Sequence, residues 1–127
     1  MIIKVTCAII FHNNKILAAK RSNSMPHSGY WEFPGGKIEE NESPEDCLIR
    51  EINEELDCLI EIKEQLPLFT HQFSDKHIEL QPYICAIKSG TPRAVEHSEI
   101  KWLAKTDLLK IQWLPADVDI AKFLQSF

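Results

Sequence analysis

The stretch GGKIEENESPEDCLIREINEELD, from Gly35 to Asp57, is the part of the sequence that indicates the fold most strongly. Nine of its 23 residues are acidic. Like charges four residues apart on a helix destabilise it, so carboxylates are rarely crowded onto one face unless something offsets their repulsion. The first question is therefore what positive charge this stretch holds.

A helix is predicted between Ser43 and Asp57. Ser43 is a favourable N-cap, Pro44 occupies the first helical position, and Asp46 completes a signature similar to a capping box. The apolar stripe that would face the core recurs at i, i+4 and i+8 and consists of Leu48, Ile52 and Leu56.

Three carboxylates, those of Glu51, Glu54 and Glu55, share one face of this helix beside the apolar stripe. Arg50, four residues before Glu54, could pair with one of them but cannot neutralise all three. Hard oxygen ligands suit Mg²⁺, so the pattern favours a bound divalent ion. A charged face exposed to solvent is the alternative. The preceding Gly35-Gly36 pair, read as a loop, permits either positive φ or a close approach of the backbone to a ligand.

The rest of the chain alternates between strand and helix patterns. Strands are predicted at 2–11, 15–21, 30–33, 58–73, 77–88 and 100–104, with Pro82 marking an edge or a bulge. A single helical turn capped by Thr106 and a final helix over 116–126 follow. This order predicts an α/β (α+β) sandwich in which a mixed sheet lies between helices, formed by one domain over residues 1–127.

Composition excludes several classes of function. The 127 residues carry a net charge of −5 and no long basic stripe, so we expect no binding to a nucleic-acid duplex. No apolar run is long enough to span a bilayer, and a cytoplasmic protein without a membrane partner is expected. The four cysteines lack zinc spacing and are expected to be buried in a reducing compartment.

The acidic stretch as a whole resembles the Nudix box, G-x5-E-x7-R-E-U-x-E-E-x-G-U, in which U is aliphatic. The pattern has Gly where this chain has Asp57, just past the predicted helix end, where left-handed geometry is common. Asp adopts that geometry at modest cost, so a small stability penalty is expected. The residues that follow the pattern are Gly36, Glu42, Arg50, Glu51, Ile52, Glu54, Glu55 and, at the last aliphatic position, Cys58.

The resemblance implies cleavage of a nucleoside diphosphate linked to another group, with Mg²⁺ or Mn²⁺ as cofactor. It implies that Arg50 orients the carboxylates and that Glu42 supports the loop. The metal ligands that it implies are Glu51, Glu54 and Glu55, helped by the carbonyl of Gly36 or Gly35.

Segments outside the box are similar to the MutT branch of this family, the nucleoside triphosphate pyrophosphohydrolases. The closing segment LPADVDIAKFL is most similar to the CTP pyrophosphohydrolase relatives. The likeness implies that water is directed at the β-phosphorus of a (d)NTP, giving (d)NMP and diphosphate. It also places Arg21, Glu32 and Phe33 among the substrate-binding residues.

Asp117 is the candidate base reader, because its spacing to Ile120, Ala121 and Leu124 puts it on the inward stripe of the last helix. It could instead be the N-cap of that helix. An ionised Asp only accepts hydrogen bonds, from cytosine N4–H₂ or from the pairing edge of guanine. MutT is similar here but has Asn, so both 8-oxo-dGTP and CTP, dCTP or modified cytidine nucleotides stay open.

The remaining candidates come from two later segments. Glu96 resembles a loop Glu that reaches the metals or a catalytic water in the MutT branch, with Glu99 as its local competitor. The base pocket could be walled by Phe73, His77 and Leu80, although packing within the sheet is an equal alternative. The sequence assigns no role to the histidines His12, His27, His71 and His97.

We expect an enzyme that sanitises the nucleotide pool, with a small nucleotide as its partner. A non-catalytic Nudix module that binds nucleotides as a sensor is the alternative, and another nucleoside-diphosphate-linked substrate is the alternative among enzymes. Such modules often lose box carboxylates, whereas this chain keeps all three. The sequence leaves open whether the protein is a monomer or a homodimer.

Overall fold

A computed structural model describes residues 1–127. Eight strands form one sheet, and two helices pack against it. The helices are α1 (Pro44–Leu56) and α2 (Pro115–Gln125), and a 3₁₀ helix spans Lys105–Lys110. No helix has both the length and the apolar character needed to cross a membrane. The strands are β1 (Ile2–His12), β2 (Lys15–Lys20), β3 (Trp31–Glu32), β4 (Gly35–Lys37), β5 (Leu59–Gln65), β6 (Phe69–Phe73), β7 (Lys76–Ser89) and β8 (Glu99–Leu103).

The sheet is mixed, as predicted. Its strand order is β3-β2-β1-β7-β5, with β4 pairing β1, β6 pairing β7 and β8 pairing β2. The β1–β7 pair is parallel, and every other pair is antiparallel. Alternation along β1 sends Cys7 and Ile9 into the core under α2, and Ala8 and Ile10 into the core under α1. The predicted α+β sandwich is therefore confirmed.

The predicted helix α1 is confirmed together with both of its ends. The Ser43 hydroxyl accepts a hydrogen bond from the Asp46 amide at 3.1 Å, and Pro44 is the first helical residue. The helix ends at Asp57, which adopts left-handed geometry with φ 55° and ψ 43°. The predicted apolar stripe of Leu48, Ile52 and Leu56 is fully buried.

Gly35 and Gly36 lie in strand β4 and not in a loop, which corrects the sequence-based expectation. They pair with Cys7 and Thr6 of β1, and neither has a positive φ. Glycine is needed at Gly35 for close approach, because a Cβ atom there would lie 2.0 Å from the Thr6 carbonyl oxygen. Close approach, and not positive φ, is therefore the reason for glycine at Gly35, and the approach is made to the protein's own backbone.

Three other expectations about elements were wrong. The segment predicted as one strand over 58–73 forms two strands, β5 and β6, that pair with successive parts of β7. Pro82 is not on an edge, because β7 lies between β1 and those two strands. It does not mark a bulge either, since the register shifts of the β5–β7 pairing lie at Leu59/Ile60 and Ile62/Glu64. Pro82 sits where the pairing changes from β5 to β6. Thr106 caps nothing, since the 3₁₀ helix begins after Ala104 without a side-chain cap.

The strain at the end of α1 gives a stability prediction. Asp57→Gly should raise the free energy of unfolding by about 0.5–1 kcal/mol, because glycine adopts positive φ freely and removes a negative charge from the helix C-terminus. Asp57→Ala is the matched control, because it loses the same charge and the same exposed ion pair with Arg93 but keeps the Cβ strain. It should lower the free energy of unfolding, since alanine tolerates left-handed geometry less well than aspartate. Urea unfolding measures both, and a loss of stability in the glycine variant would contradict the strain.

Candidate active site

A cavity of about 370 Å³ opens between the sheet, the end of α1 and the start of α2. Its wall combines carboxyl groups with apolar side chains, so it can take a ligand that is charged in one part and apolar in another. The predicted site residues in its wall are Arg21, Glu32, Phe33, Gly35, Gly36, Glu55, Leu80, Glu96 and Asp117.

Arg50 is the positive group that the crowded helix holds. Its guanidinium donates to both Glu42 oxygens, from Nη2 at 2.9 Å and from Nε at 3.2 Å. Its Nη1 reaches Glu51 Oε1 at 3.1 Å and Glu54 Oε1 at 3.3 Å. One arginine thus orients two of the helix carboxylates and fastens the loop before the helix.

Glu42 is hydrogen-bonded within that loop. Its Oε1 accepts the Glu39 amide at 3.0 Å in addition to the bonds from Arg50. These hydrogen bonds, chiefly those from Arg50, lower the pKa of Glu42 to about 2. The loop is therefore held by an ionised carboxylate at any ordinary pH.

Glu51 and Glu55 form the crowded part of the acidic face. Gly36 packs directly on Glu51, since a Cβ atom at Gly36 would lie 2.4 Å from the Glu51 Cδ atom. Glu55 is buried, and its pKa is raised far above the ordinary value, first by burial and then by the neighbouring Glu51 carboxylate. A positive charge placed here would stabilise the ionised form of Glu55.

The donors fit a divalent ion by their chemistry. They are carboxylate and carbonyl oxygens, the ligands that Mg²⁺ prefers. The buried carboxyl of Glu55 lies among them, and no positively charged group lowers its pKa. The side chain of Glu54 is 50% exposed and lies outside the cavity wall. No three Asp, Glu, His or Cys side chains form a metal-binding group by themselves, and Mg²⁺ usually takes only one or two carboxylates alongside water and phosphate.

Glu32 links Arg21 to a histidine that the sequence left without a role. Arg21 Nη1 lies 2.7 Å from Glu32 Oε1, and Arg21 Nε donates to the Pro26 carbonyl at 2.7 Å. His97 Nε2 lies 2.7 Å from Glu32 Oε2. His97 is 65 residues from Glu32 in sequence, and no local sequence pattern predicts such a contact.

Asp117 is not the N-cap of α2, because that helix begins at Pro115 with Leu114 as its cap. Its Oδ2 accepts the Phe33 amide at 2.8 Å, which joins α2 to the wall of the cavity. Burial raises the pKa of Asp117 to about 8, although the bond from Phe33 acts in the opposite direction. The carboxyl is therefore largely protonated near neutral pH and can donate as well as accept, unlike the ionised group considered from the sequence.

The predicted pocket wall needs two corrections that follow from strand geometry. Leu80 lines the cavity, whereas His77 lies three residues away on the opposite face of β7 and contacts Gln72 at 3.1 Å. Ile78, which sequence reasoning missed, also lines the cavity and has the same parity as Leu80. Phe73 lines a neighbouring cavity of about 360 Å³ and not the main one.

Glu96 is distinguished from Glu99 by its position. Glu96 lies in the cavity wall and contributes to raising the pKa of Glu55. Glu99 starts strand β8, pairs with Lys20 in the sheet and is absent from the wall. Of the two, only Glu96 is placed to act at the site.

The chain matches one sequence family over almost its whole length. The sequence model described as the NUDIX domain matches residues 2–127. The CTP pyrophosphohydrolase of Escherichia coli is 34% identical over 118 residues, covering 93% of this chain and 87% of that protein. The 8-oxo-dGTP diphosphatase of Proteus vulgaris is 41% identical over 73 residues, covering 58% and 64%.

A solved structure shows the same fold. The crystal structure of a MutT NUDIX hydrolase from Burkholderia pseudomallei superposes with a TM-score of 0.84 at 32% identity, covering 95% of each chain. The chain belongs to the Nudix family. It is a MutT-like hydrolase, and Nudix hydrolases generally use divalent metal ions.

The buried carboxyl of Asp117 predicts a pH-dependent stability. Its pKa of about 8 in the folded protein lies above the ordinary value near 3.9. Between these two pKa values the folded state holds a proton that the unfolded state has lost. The contribution of Asp117 to the free energy of unfolding therefore falls as pH rises from about 4 to 8. Asp117→Asn removes the titrating group. The free energy of unfolding of the variant should therefore rise relative to that of the wild type, by up to about 1.4 kcal/mol per pH unit across that window.

Urea unfolding of both proteins at pH 5, 6, 7 and 8 measures this difference. Asp119→Asn is the matched control, because Asp119 is exposed on the same helix. A difference between wild type and Asp117→Asn that stays constant over this range would contradict the raised pKa.

Proposed function

We propose that this protein hydrolyses nucleoside triphosphates to nucleoside monophosphates and diphosphate, and that it sanitises the nucleotide pool. The observation that carries the proposal is one cavity whose wall contains both the acidic group of Glu55 and Glu96 and the buried, hydrogen-bonding Asp117 beside Phe33. A nucleotide needs the same combination, a cation-binding surface for its phosphates and an apolar slot with a polar reader for its base.

The proposed metal is Mg²⁺, with Mn²⁺ as a possible substitute. When bound, the ion neutralises charge on the diphosphate and lowers the pKa of the attacking water. The residues that would hold it are Glu51, Glu54 and Glu55, the Gly36 or Gly35 carbonyl, and Glu96.

The protein's own groups orient the reacting parts. Arg50 fixes Glu51 and Glu54 from one side while Glu42 anchors Arg50 from the other. Arg21 lies in the cavity wall, where its guanidinium can bind phosphate while Glu32 restrains it. Positioning and charge stabilisation supply most of the catalysis in phosphoryl chemistry.

Asp117 is the proposed reader of the base. Phe33, which gives its amide to Asp117, stacks on the buried Trp113 ring with centroids 4.3 Å apart. This packing leaves Asp117 little freedom to move. A protonated Asp117 offers a donor and an acceptor, so it can pair with the edge of an oxidised guanine, whereas its ionised form suits cytosine N4–H₂. The relatives named for CTP and for 8-oxo-dGTP support both substrates.

A nucleotide panel tests the function. Purified protein with Mg²⁺ should release diphosphate from at least one of CTP, dCTP, 5-methyl-dCTP, 5-hydroxy-dCTP, dGTP and 8-oxo-dGTP. Diphosphate and monophosphate products are measured separately. Binding without release of either product from any nucleotide would favour the non-catalytic sensor.

Glu54→Gln tests the metal assignment. The substitution removes one charged oxygen ligand from an exposed position, so the fold should survive while kcat falls by about 100-fold or more. Glu64→Gln is the matched control, since Glu64 is an exposed glutamate on β5, and it should leave kcat unchanged. Turnover near the wild-type rate in Glu54→Gln would remove Glu54 from the metal site.

Asp117→Asn tests the base reader. Asparagine always offers both a donor and an acceptor, so the variant should shift the ratio of kcat/KM between dCTP and 8-oxo-dGTP by about tenfold or more. The ratio should also lose its dependence on pH, because the titrating group is gone. An unchanged ratio would assign Asp117 to the Phe33 contact alone.

A further inference from the structure

His97 is a buried residue of the cavity wall with a single hydrogen-bond partner. Its side chain is 1% exposed, so the ring cannot make an extensive contact with a ligand in the cavity. Its Nε2 lies 2.7 Å from Glu32 Oε2, while Glu55 Oε1 is 3.9 Å away, beyond hydrogen-bond distance. The imidazole therefore acts on Glu32 and stands between two carboxyl groups.

We assign Nε2 as the donor in this pair, because a carboxylate that also pairs with the Arg21 guanidinium accepts hydrogen bonds at its oxygens. With the Arg21 bond to Oε1, both oxygens of Glu32 are then engaged, one by each partner. A carboxylate held at both oxygens has one orientation, and it in turn holds the guanidinium of Arg21 in the cavity wall.

The other ring nitrogen argues against a role in packing alone. His97 Nδ1 is buried and has no hydrogen-bond partner within the protein. Burying an unpaired polar atom is unfavourable, and an apolar side chain of similar size would avoid that cost. The ring is therefore best explained by what Nε2 does for Glu32.

The backbone around His97 is fixed to two elements that carry site residues. The Val95 amide donates to the Glu55 carbonyl at 3.2 Å, and the Ser98 amide donates to the Lys20 carbonyl at 3.0 Å. The segment between them thus joins the end of α1 to the end of β2. His97 has a defined position relative to both the acidic helix and Arg21, which follows β2.

We propose that His97 is a positioning residue, which holds Glu32 and through it orients Arg21 toward the substrate phosphates. This role rests on the proposed function, since phosphate binding by Arg21 is part of it. The consequence is specific: loss of the Nε2–H donor should weaken substrate binding more than it slows turnover.

Two variants of matched size test the donor. His97→Leu fills the space without a donor, whereas His97→Gln places an amide N–H within reach of Glu32. With the nucleotide that wild type turns over best, His97→Leu should raise KM by about tenfold with a smaller change in kcat, and His97→Gln should recover most of the loss. Equal losses in the two variants would overturn the proposal.

A double-mutant cycle shows whether His97 acts through Glu32. In a Glu32→Gln background, His97→Leu should change KM by less than about twofold, because the group it positions is already altered. Full additivity of the two substitutions would mean that His97 acts independently of Glu32.

An NMR measurement separates this proposal from the proposed function. The Arg21 Nε–H group, which donates to Pro26, should give a resolved, slowly exchanging signal in wild type and in His97→Gln. In His97→Leu the signal should shift and exchange faster. Identical Arg21 signals in all three folded proteins would overturn the role of His97, and the comparison stands even if no nucleotide is hydrolysed.

Discussion

Repulsion among carboxylates on one face of α1 is the constraint on which the rest of the structure depends. Arg50 offsets it in part by engaging two of the helix carboxylates, and Glu42 anchors Arg50 through both of its oxygens. Gly36 closes the arrangement because its missing side chain leaves room for Glu51. The loop, the strand and the helix are thus organised around negative charges that a bound cation would stabilise.

Two further acidic side chains, Glu32 and Asp117, lie in the wall of the cavity, and their environments differ from that of the helix carboxylates. Glu32 is paired with Arg21 and His97, whereas Asp117 is kept largely protonated by burial. The first arrangement fixes the direction of the Glu32 carboxyl group. The second provides a group that can donate as well as accept, which is the property that the proposed reading of the base uses.

Prediction from sequence succeeded where the signals were local. The cap at Ser43 and the left-handed end at Asp57 are encoded within a few residues, and both are confirmed. It failed where pairing is non-local. Gly35-Gly36 reads as a loop because nothing nearby shows that β1 will pair with it, and Pro82 reads as an edge because the division of its partner into β5 and β6 is invisible along the chain.

By itself, the sequence determined the helix, the spacing of its carboxylates and the likeness to the Nudix box, because these follow from helix periodicity and capping. Strand parity would also have favoured Ile78 over His77 beside Leu80. Only the tertiary structure decided the contacts and the burial of His97 and Asp117. A hydrogen bond across 65 residues and a carboxyl pKa raised by burial depend on what surrounds a side chain, and that environment exists only in the folded chain.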